Sequence, residues 1–157
     1  MLLFRIICAV LLAWSANWAL SRPEANAMLL EVPEMNYLVP LGAATAGYFN
    51  LAVRQGWGTI VALANGVWAG ALSIFFACVL HTLIEVVRGL RTNVIQTFDN
   101  FMTEFSSTVE PLFEEFLDPP LLVVILGAAA VVGVVTEVLH WVLVRFRQKR
   151  AGGGTNS

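Results

Sequence analysis

The sequence predicts an all-α membrane protein, in which four membrane-spanning helices form a bundle and an amphipathic helix pair lies between spans three and four. Hydrophobic residues make up 58% of the chain and charged residues 13%, against about 45–50% and about 25% in soluble domains. The 157 residues have room for one domain, whose core is too small to bury this apolar surplus. The surplus is concentrated in long apolar segments, which a bilayer can solvate.

The apolar segments are predicted to be helices of unequal length. They run over 2–20, 38–53, 59–87 and 121–144. A hydrocarbon core of about 30 Å requires roughly 20 helical residues. The second segment is shorter than this and is rich in glycine and alanine. It therefore needs local thinning of the bilayer or cover from neighbouring helices to act as a span.

The segment 93–117 is predicted to form the amphipathic helix pair. Its apolar residues recur at a helical spacing of three and four, and its opposite face is acidic. Pro111 is expected to divide the segment, because proline is tolerated in the first turn of a helix. The phenylalanine-rich face either lies in the interface on the outer side of the membrane or packs on the outer ends of the spans, and both arrangements can hold together.

The distribution of basic residues predicts the orientation. With the N-terminus inside, the cytoplasmic side carries Arg5, Arg54, Arg145, Arg147, Lys149 and Arg150. The outer side then carries Arg22, Arg88 and Arg91. The positive-inside rule therefore places both termini in the cytoplasm. A single membrane domain is expected over 1–147, followed by a disordered tail over 148–157.

The first apolar segment also has a second interpretation. Residues 1–27 have features of a secretory signal peptide, with Arg5 in the charged region and Ala25-Asn26-Ala27 as a cleavage site. Cleavage would leave three spans in the same orientation. The sequence leaves a retained span and a cleaved peptide as open alternatives.

Two strips of small residues predict which helix faces meet. In the third span the strip comprises Ala62, Gly66, Gly70, Ser73 and Ala77, and in the fourth Gly127, Ala130 and Gly133. In lipid, small residues let helix backbones approach closely. Both strips are therefore predicted to be packing faces of the bundle.

Polar residues continue these strips and are expected to face the bundle interior. Spans three and four are antiparallel, so a rise of 1.5 Å per residue places their polar residues at opposite ends. The predicted inner polar cluster comprises Asn50, Asn65, Glu137 and His140. The predicted outer polar cluster comprises Asn17, His81 and Glu85.

Glu137 is a candidate functional residue, because carboxylates are rare inside a membrane. The alternative is that its hydrogen bonds between helices only fix the bundle. Glu137 and His140 have the spacing of a bundle di-metal site, but the two clusters are separated by roughly 20 Å, which argues against a shared metal. The sequence shows no catalytic motif, and its net charge of −2 gives no indication of nucleic-acid binding. We therefore expect no enzymatic activity, no cofactor and no metal.

The order of these features resembles the TrgA family, small bacterial inner-membrane proteins associated with tellurite resistance. The resemblance is clearest over 47–147. It is carried by Arg54 to Gly58, Asn65-Gly66, His81 to Arg88, Asp118-Pro119-Pro120, Glu137 and the basic end. It implies a non-enzymatic protein of the bacterial inner membrane that supports tellurite resistance or envelope homeostasis. Because the predicted outer surface is acidic and repels an oxyanion, this role is expected to be indirect.

Two further hypotheses compete with this one. The small-residue strips and the short second span favour an accessory subunit of a respiratory, photosynthetic or other membrane complex. Glu137, Glu85 and His81 favour a small transporter component, although the inverted repeats and broken helices of transporters are not evident in the sequence. The expected partners are the lipid bilayer and either a larger membrane complex or a second copy. The substrate, the partner's identity and the oligomeric state stay open.

Overall fold

The computed structural model describes residues 2–25, 32–54, 56–91 and 98–152, and every long element in them is an α-helix. The helices are α1 (Leu2–Leu20), α2 (Met35–Phe49), α3 (Thr59–Arg91), α4 (Phe98–Phe116) and α5 (Pro119–Gly152), with short 3-10 turns at Pro23–Ala25 and Leu51–Val53. This confirms the predicted all-α class. Near the C-terminus, α5 continues to Gly152 into the segment expected to be disordered, and 153–157 lie outside the described residues.

Within the described residues, three helices are long and apolar enough to cross a membrane. They are α1, α3 and the Pro119–Gln148 part of α5, with mean hydropathies of 1.7, 2.0 and 2.5. The chain is therefore a membrane protein by the length and composition of these helices. By contrast, α2 has 15 residues and is about 22 Å long, which is less than a hydrocarbon core of about 30 Å. The predicted second span over 38–53 is thus a shorter helix followed by a 3-10 turn.

The helices α1, α2, α3 and α5 form an antiparallel ring. Each packs against its two neighbours in the order α1, α2, α3, α5, and α5 returns to α1. The α1–α5 side is the least extensively packed of the four. We call the end formed by residues 50–58 the short-loop end, and the other the α4 end, because α4 packs there on the outside of α3.

The closest packing in the ring joins α3 to α5. A Cβ added to Gly66 would collide with the carbonyl oxygen of Ala129, and one added to Gly133 would collide with that of Ala62. Only a residue without a side chain permits this approach of the two backbones. The α3 strip is buried along its length, at Ala62, Gly66, Gly70, Ser73 and Ala77.

The predicted packing strip of α5 requires a correction at one end. Gly133 is buried and Ala130 is half-buried, but Gly127 is exposed and has no atom within 4 Å of an added Cβ. Leu126 and Ala129 contact Gly70 of α3 instead. The reason is rotational: positions 126, 129 and 133 follow the helical period towards α3, whereas Gly127 points towards the loosely packed α1 side.

The amphipathic segment forms one helix, so the predicted division at Pro111 is wrong. Pro111 lies inside α4, and the helix continues to Phe116. Beyond the proline, Leu112 and Phe116 are buried, and this burial offsets the loss of one backbone hydrogen bond. Residues 93–97 of the predicted segment lie outside the described residues.

Buried hydroxyl groups satisfy their hydrogen bonds within their own helices. The hydroxyl of Ser73 donates to the carbonyl of Ala69 at 2.7 Å, and that of Thr82 donates to the carbonyl of Cys78 at 2.8 Å. A hydrocarbon environment offers no water to replace such bonds. These polar side chains therefore need no partner on another helix, and the ring depends on backbone proximity for its packing.

The glycine contacts predict opposite results for two matched substitutions in α5. Gly133→Ala should lower the free energy of unfolding by about 1–3 kcal/mol, because the added methyl group forces α3 and α5 apart. Gly127→Ala should leave it unchanged or raise it slightly, because its site is open and alanine favours the helix over glycine. Unfolding in a denaturing-detergent titration measures both, and equal effects would contradict the assigned packing face.

Candidate functional site

A short connection leads from the end of α2 to α3, and we call it the 54–58 loop; the structure describes its Arg54 and 56–58. Gly56 and Gly58 adopt φ values of 94° and 98°, which side-chain-bearing residues rarely adopt. Gln55, which lies between Arg54 and Gly56, is outside the described residues. With this backbone, the amide groups of both glycines point towards α5.

The carboxylate of Glu137 binds these amide groups. Gly56 donates its backbone N–H to Oε2 at 2.7 Å, and Gly58 donates to Oε1 at 3.0 Å. The indole Nε1 of Trp141, one turn along α5, also donates to Oε1 at 3.1 Å. Glu137 is 3% exposed, so these bonds replace its hydration. Hydrogen bonds to an ionised carboxylate are stronger than neutral ones, and they fasten the loop to α5.

Asn65 holds the same loop from α3. Its side-chain amide donates to the carbonyl oxygen of Arg54 at 3.1 Å, and the residue is buried. Asn65 and Glu137 therefore meet at one structure, although each binds the loop backbone rather than the other side chain. We call this arrangement of Asn65, Glu137, Trp141 and the 54–58 loop the loop latch.

The other two residues of the predicted inner polar cluster lie beside the loop latch. Asn50 ends α2 and is half-buried, and its carbonyl accepts a hydrogen bond from Val53 at 3.2 Å. The ring of His140 contacts the edge of Phe4, with a centroid distance of 5.8 Å. Among the described hydrogen bonds, none joins Asn50 or His140 to Glu137.

Sequence reasoning missed the direct partners of Glu137. The partners are backbone amides of Gly56 and Gly58, which carry no side-chain signal, and the indole of Trp141. The available signal was the pair of glycines flanking Trp57 immediately before a helix. Such spacing is typical of a backbone turn that exposes amides to an anion.

At the α4 end, the predicted outer polar cluster is partly assembled. Arg88 binds Glu85 one turn earlier on α3 and also binds Glu34 at the start of α2, at 3.0 Å. His81 is buried, and its Nδ1 has no hydrogen-bond partner in the described part of the chain. Asn17 is exposed on α1 and stands apart from the other two. Glu34 and Arg88, which the predicted outer polar cluster omitted, therefore form an ion pair between the start of α2 and α3.

The ion pair between Glu34 and Arg88 changes the titration of the carboxyl group. The hydrogen bond donated by Arg88 holds the pKa of Glu34 below its usual value, and the positive charge of the guanidinium acts in the same direction. Both side chains are accessible to solvent, so the contribution to stability is small.

Both carboxylate oxygens of Glu137 accept hydrogen bonds, one at Oε2 and two at Oε1. Because protonation or binding of a cation weakens the acceptor strength of the carboxylate, either change would weaken the bonds that fasten the loop. In the described ranges, no group of three His, Cys, Asp or Glu side chains has the geometry to hold a metal ion. The latch is therefore suited to holding α2, α3 and α5 together.

A groove between α1 and α5 is the second feature of the site. It has a cavity volume of about 490 Å³, and its lining is almost entirely apolar. Trp14 and Trp18 of α1 form one wall, and Gly127 and Val131 of α5 form the other. The large side chains on both walls are exposed, with Trp14 at 69% and Val131 at 63%. The groove therefore opens on the outer surface of two membrane-spanning helices.

The fold and the two features define a class of protein, an all-helical membrane bundle with a fastened loop and an open apolar groove. Comparisons with protein-family models, with curated proteins and with solved structures find no match for this chain. The resemblance to the TrgA family therefore stays a hypothesis that rests on the residues quoted for it.

The loop latch predicts the effect of removing the charge of Glu137. Glu137→Gln should lower the free energy of unfolding by about 1–3 kcal/mol, because the new amide group presents a donor to a backbone donor. Hydrogen exchange of the Gly56 and Gly58 amides should accelerate. Glu110→Gln, at an exposed position of α4, is the control and should change stability by less than about 0.5 kcal/mol. Unchanged stability and exchange in Glu137→Gln would contradict the latch.

The ion pair at the α4 end predicts a pH-dependent stability difference. The folded-state pKa of Glu34 lies below its unfolded value of about 4.5, so its stabilising contribution is present above that value and disappears as the pH falls through the folded pKa. The Tm of the wild type should therefore exceed that of Glu34→Gln at pH 7, and the two should converge in acid. In an Arg88→Gln background the difference should already be smaller at pH 7, because the largest cause of the lowered pKa of Glu34 is removed. An undiminished difference there would assign the effect to another group.

Proposed function

We propose that this chain is a four-span protein of the bacterial inner membrane with both termini in the cytoplasm. In this proposal it acts without enzymatic activity, as an accessory subunit that binds a membrane-spanning helix of a partner protein, and it thereby supports envelope homeostasis. The observation that carries the proposal is the open apolar groove between α1 and α5. The leading rivals are a transporter component and a self-associating protein.

The position of α2 supports four spans. It lies in the ring between α1 and α3, and its Val39 and Ala43 are fully buried there. A helix shorter than the hydrocarbon core can cross when neighbours cover its ends or the bilayer thins locally. The packing of α1 supports its retention as a span, because Cys8 and Leu12 belong to the core of the bundle.

Charge supports the orientation. The short-loop end carries Arg5, Arg54, Arg145 and Arg147, whereas Glu34 and the acidic residues of α4 lie at the α4 end. The positive-inside rule then places the short-loop end in the cytoplasm. In that orientation α4 lies at the interface on the non-cytoplasmic side of the membrane, where its exposed acidic face meets water and its buried face covers α3.

The shape of the groove supports a helix as its occupant. Gly127 presents bare backbone in the groove wall, and an added Cβ there would meet no atom within 4 Å. Association between helices in lipid depends on close packing, since lipid tails are as apolar as the side chains they replace. Small residues beside large ones, as with Gly127 beside Trp14 and Trp18, offer a recess that a convex helix surface fills better than a disordered lipid tail.

The same shape disfavours a second copy as the occupant. A two-fold dimer places the same patch of both subunits in contact. Two concave grooves facing each other would enclose empty space, which forfeits the packing contacts that drive association in lipid. A partner of another sequence, with one protruding helix, avoids this cost.

The loop latch disfavours the transporter hypothesis. A proton or ion pathway needs a carboxylate that exchanges its ligand during transport. Glu137 binds two backbone amides and one indole, so each exchange would also disturb the hydrogen bonds that fasten the loop between α2 and α3. An accessory role requires no such movement. The resemblance to the TrgA family supports tellurite resistance as the physiological setting of that role.

The groove predicts which substitution removes the partner. Gly127→Leu should fill the recess without disturbing the bundle, and a partner that co-purifies in stoichiometric amount with the wild type in mild detergent should be lost. Ala71→Leu, at an exposed position of α3, adds the same volume elsewhere and should retain the partner. The readout is the molar ratio of partner to tagged chain in the purified complex.

Three outcomes would contradict this proposal. The first is equal loss of the partner in both variants, and the second is a wild-type chain that purifies alone. The third is co-purification of a differently tagged copy of the same chain. In a deletion strain, the wild type and Ala71→Leu should restore tellurite tolerance, whereas Gly127→Leu should not. A change in tellurite uptake without a change in partner binding would favour the transporter.

A further inference from the structure

A second cavity lies at the short-loop end between α1, α5 and the turn that follows α2. Its volume is about 230 Å³. Arg5 of α1 and Arg147 of α5 line it from two different membrane-spanning helices, together with the imidazole of His140. Phe4 and Leu143 complete the apolar part of its wall. The cavity is separate from the apolar groove, which lies at the other end of the same two helices.

The positive charges of this cavity are not neutralised by acidic side chains. Glu137 is the one acidic residue of the sequence within 1–23, 35–84 and 119–157. Its carboxylate oxygens already accept hydrogen bonds from Gly56, Gly58 and Trp141. The described ion pairs involve Arg88 at the α4 end. In the described part of the chain, the guanidinium groups of Arg5 and Arg147 therefore have no carboxylate partner.

Aromatic contacts hold two of the polar groups in place. The guanidinium of Arg5 lies over the ring of Tyr48, 5.7 Å from its centroid, which restricts the arginine by a cation–π contact. The ring of His140 packs edge-on against Phe4. Less conformational freedom is lost on binding when the donors are already positioned.

The wall of the cavity combines charge with apolar surface. Leu143 is 40% exposed and Val144 is 38% exposed, so the apolar side of the cavity is continuous with the lipid-facing surface of α5. A small inorganic anion would use the arginines but not this apolar surface. An anionic amphiphile would use both, with its headgroup on the guanidinium groups and its chain along α5.

We propose that this cavity binds the headgroup of an anionic phospholipid. The phosphate accepts hydrogen bonds from Arg5 and Arg147, since the planar guanidinium matches a phosphate in two-point contacts. The first part of the acyl chain then packs on Phe4 and Leu143. Both helices end at the membrane surface on this side, where basic pockets between spans meet lipid headgroups. This proposal requires that α1 and α5 span the membrane. It does not depend on the proposed partner protein or on which side of the membrane the short-loop end faces.

Equilibrium binding of tail-labelled phosphatidylglycerol to the full chain in neutral detergent micelles tests the proposal. Unlabelled phosphatidylglycerol should compete, whereas phosphatidylcholine and inorganic phosphate at the same concentration should not. Arg5→Gln and Arg147→Gln should each raise the Kd about tenfold, because each removes charge-assisted hydrogen bonds. Arg147→Lys keeps the charge without the planar donor pair and should raise it by less, about threefold.

Arg145→Gln is the matched control, because Arg145 lies on the same helix and lines a different cavity with Trp141. It should change the Kd by less than about twofold. If Arg145→Gln weakened the binding equally, general surface charge would explain the binding and the proposed site would be wrong. Unchanged binding in both Arg5→Gln and Arg147→Gln would also contradict the proposed site. Effective competition by inorganic phosphate would show that the cavity binds a free phosphate and not a lipid headgroup. Circular dichroism in neutral micelles verifies that each variant is folded.

Discussion

The close crossing of α3 and α5 is the constraint on which the rest of the structure depends. Gly66 and Gly133 bring the two backbones within contact distance, where a single added carbon would strike a carbonyl oxygen. Because the helices are antiparallel and fixed at this point, Asn65 and Glu137 come to lie on either side of the same loop. In lipid, where burial of apolar side chains provides no driving force, such backbone proximity is a main source of helix association.

The loop latch converts a potentially unfavourable group into a structural one. An ionised carboxylate inside a bilayer is costly unless donors replace its water. The 54–58 loop supplies two backbone amides, which the positive φ values of Gly56 and Gly58 orient towards α5. The hydrogen bonds donated by these amide groups offset the cost of burying Glu137. Removing either side leaves the other unsatisfied, so the loop and α5 form one cooperative unit.

The two cavities follow from the unequal packing of the ring. The α1–α5 side is the least extensively packed, and it leaves an apolar groove near the α4 end and a basic cavity at the short-loop end. The groove suits a helix because its walls lack polar groups and include bare backbone at Gly127. The basic cavity suits an anionic headgroup because Arg5 and Arg147 lack carboxylate partners in the described residues. Both proposals therefore use the side of the bundle that its own helices pack least extensively.

The sequence by itself determined the helical class and the membrane character, since apolar segments of this length have no other solvent than lipid. It also determined the buried strip of α3, because Ala62, Gly66, Gly70, Ser73 and Ala77 repeat with the helical period. Only the tertiary structure decided how Glu137 is satisfied, since its partners at Gly56 and Gly58 are backbone groups that every residue type carries. It likewise decided that Gly127 faces a groove and that α4 continues through Pro111. These outcomes depend on helix rotation and on neighbouring burial, neither of which is a property of a residue and its spacing alone.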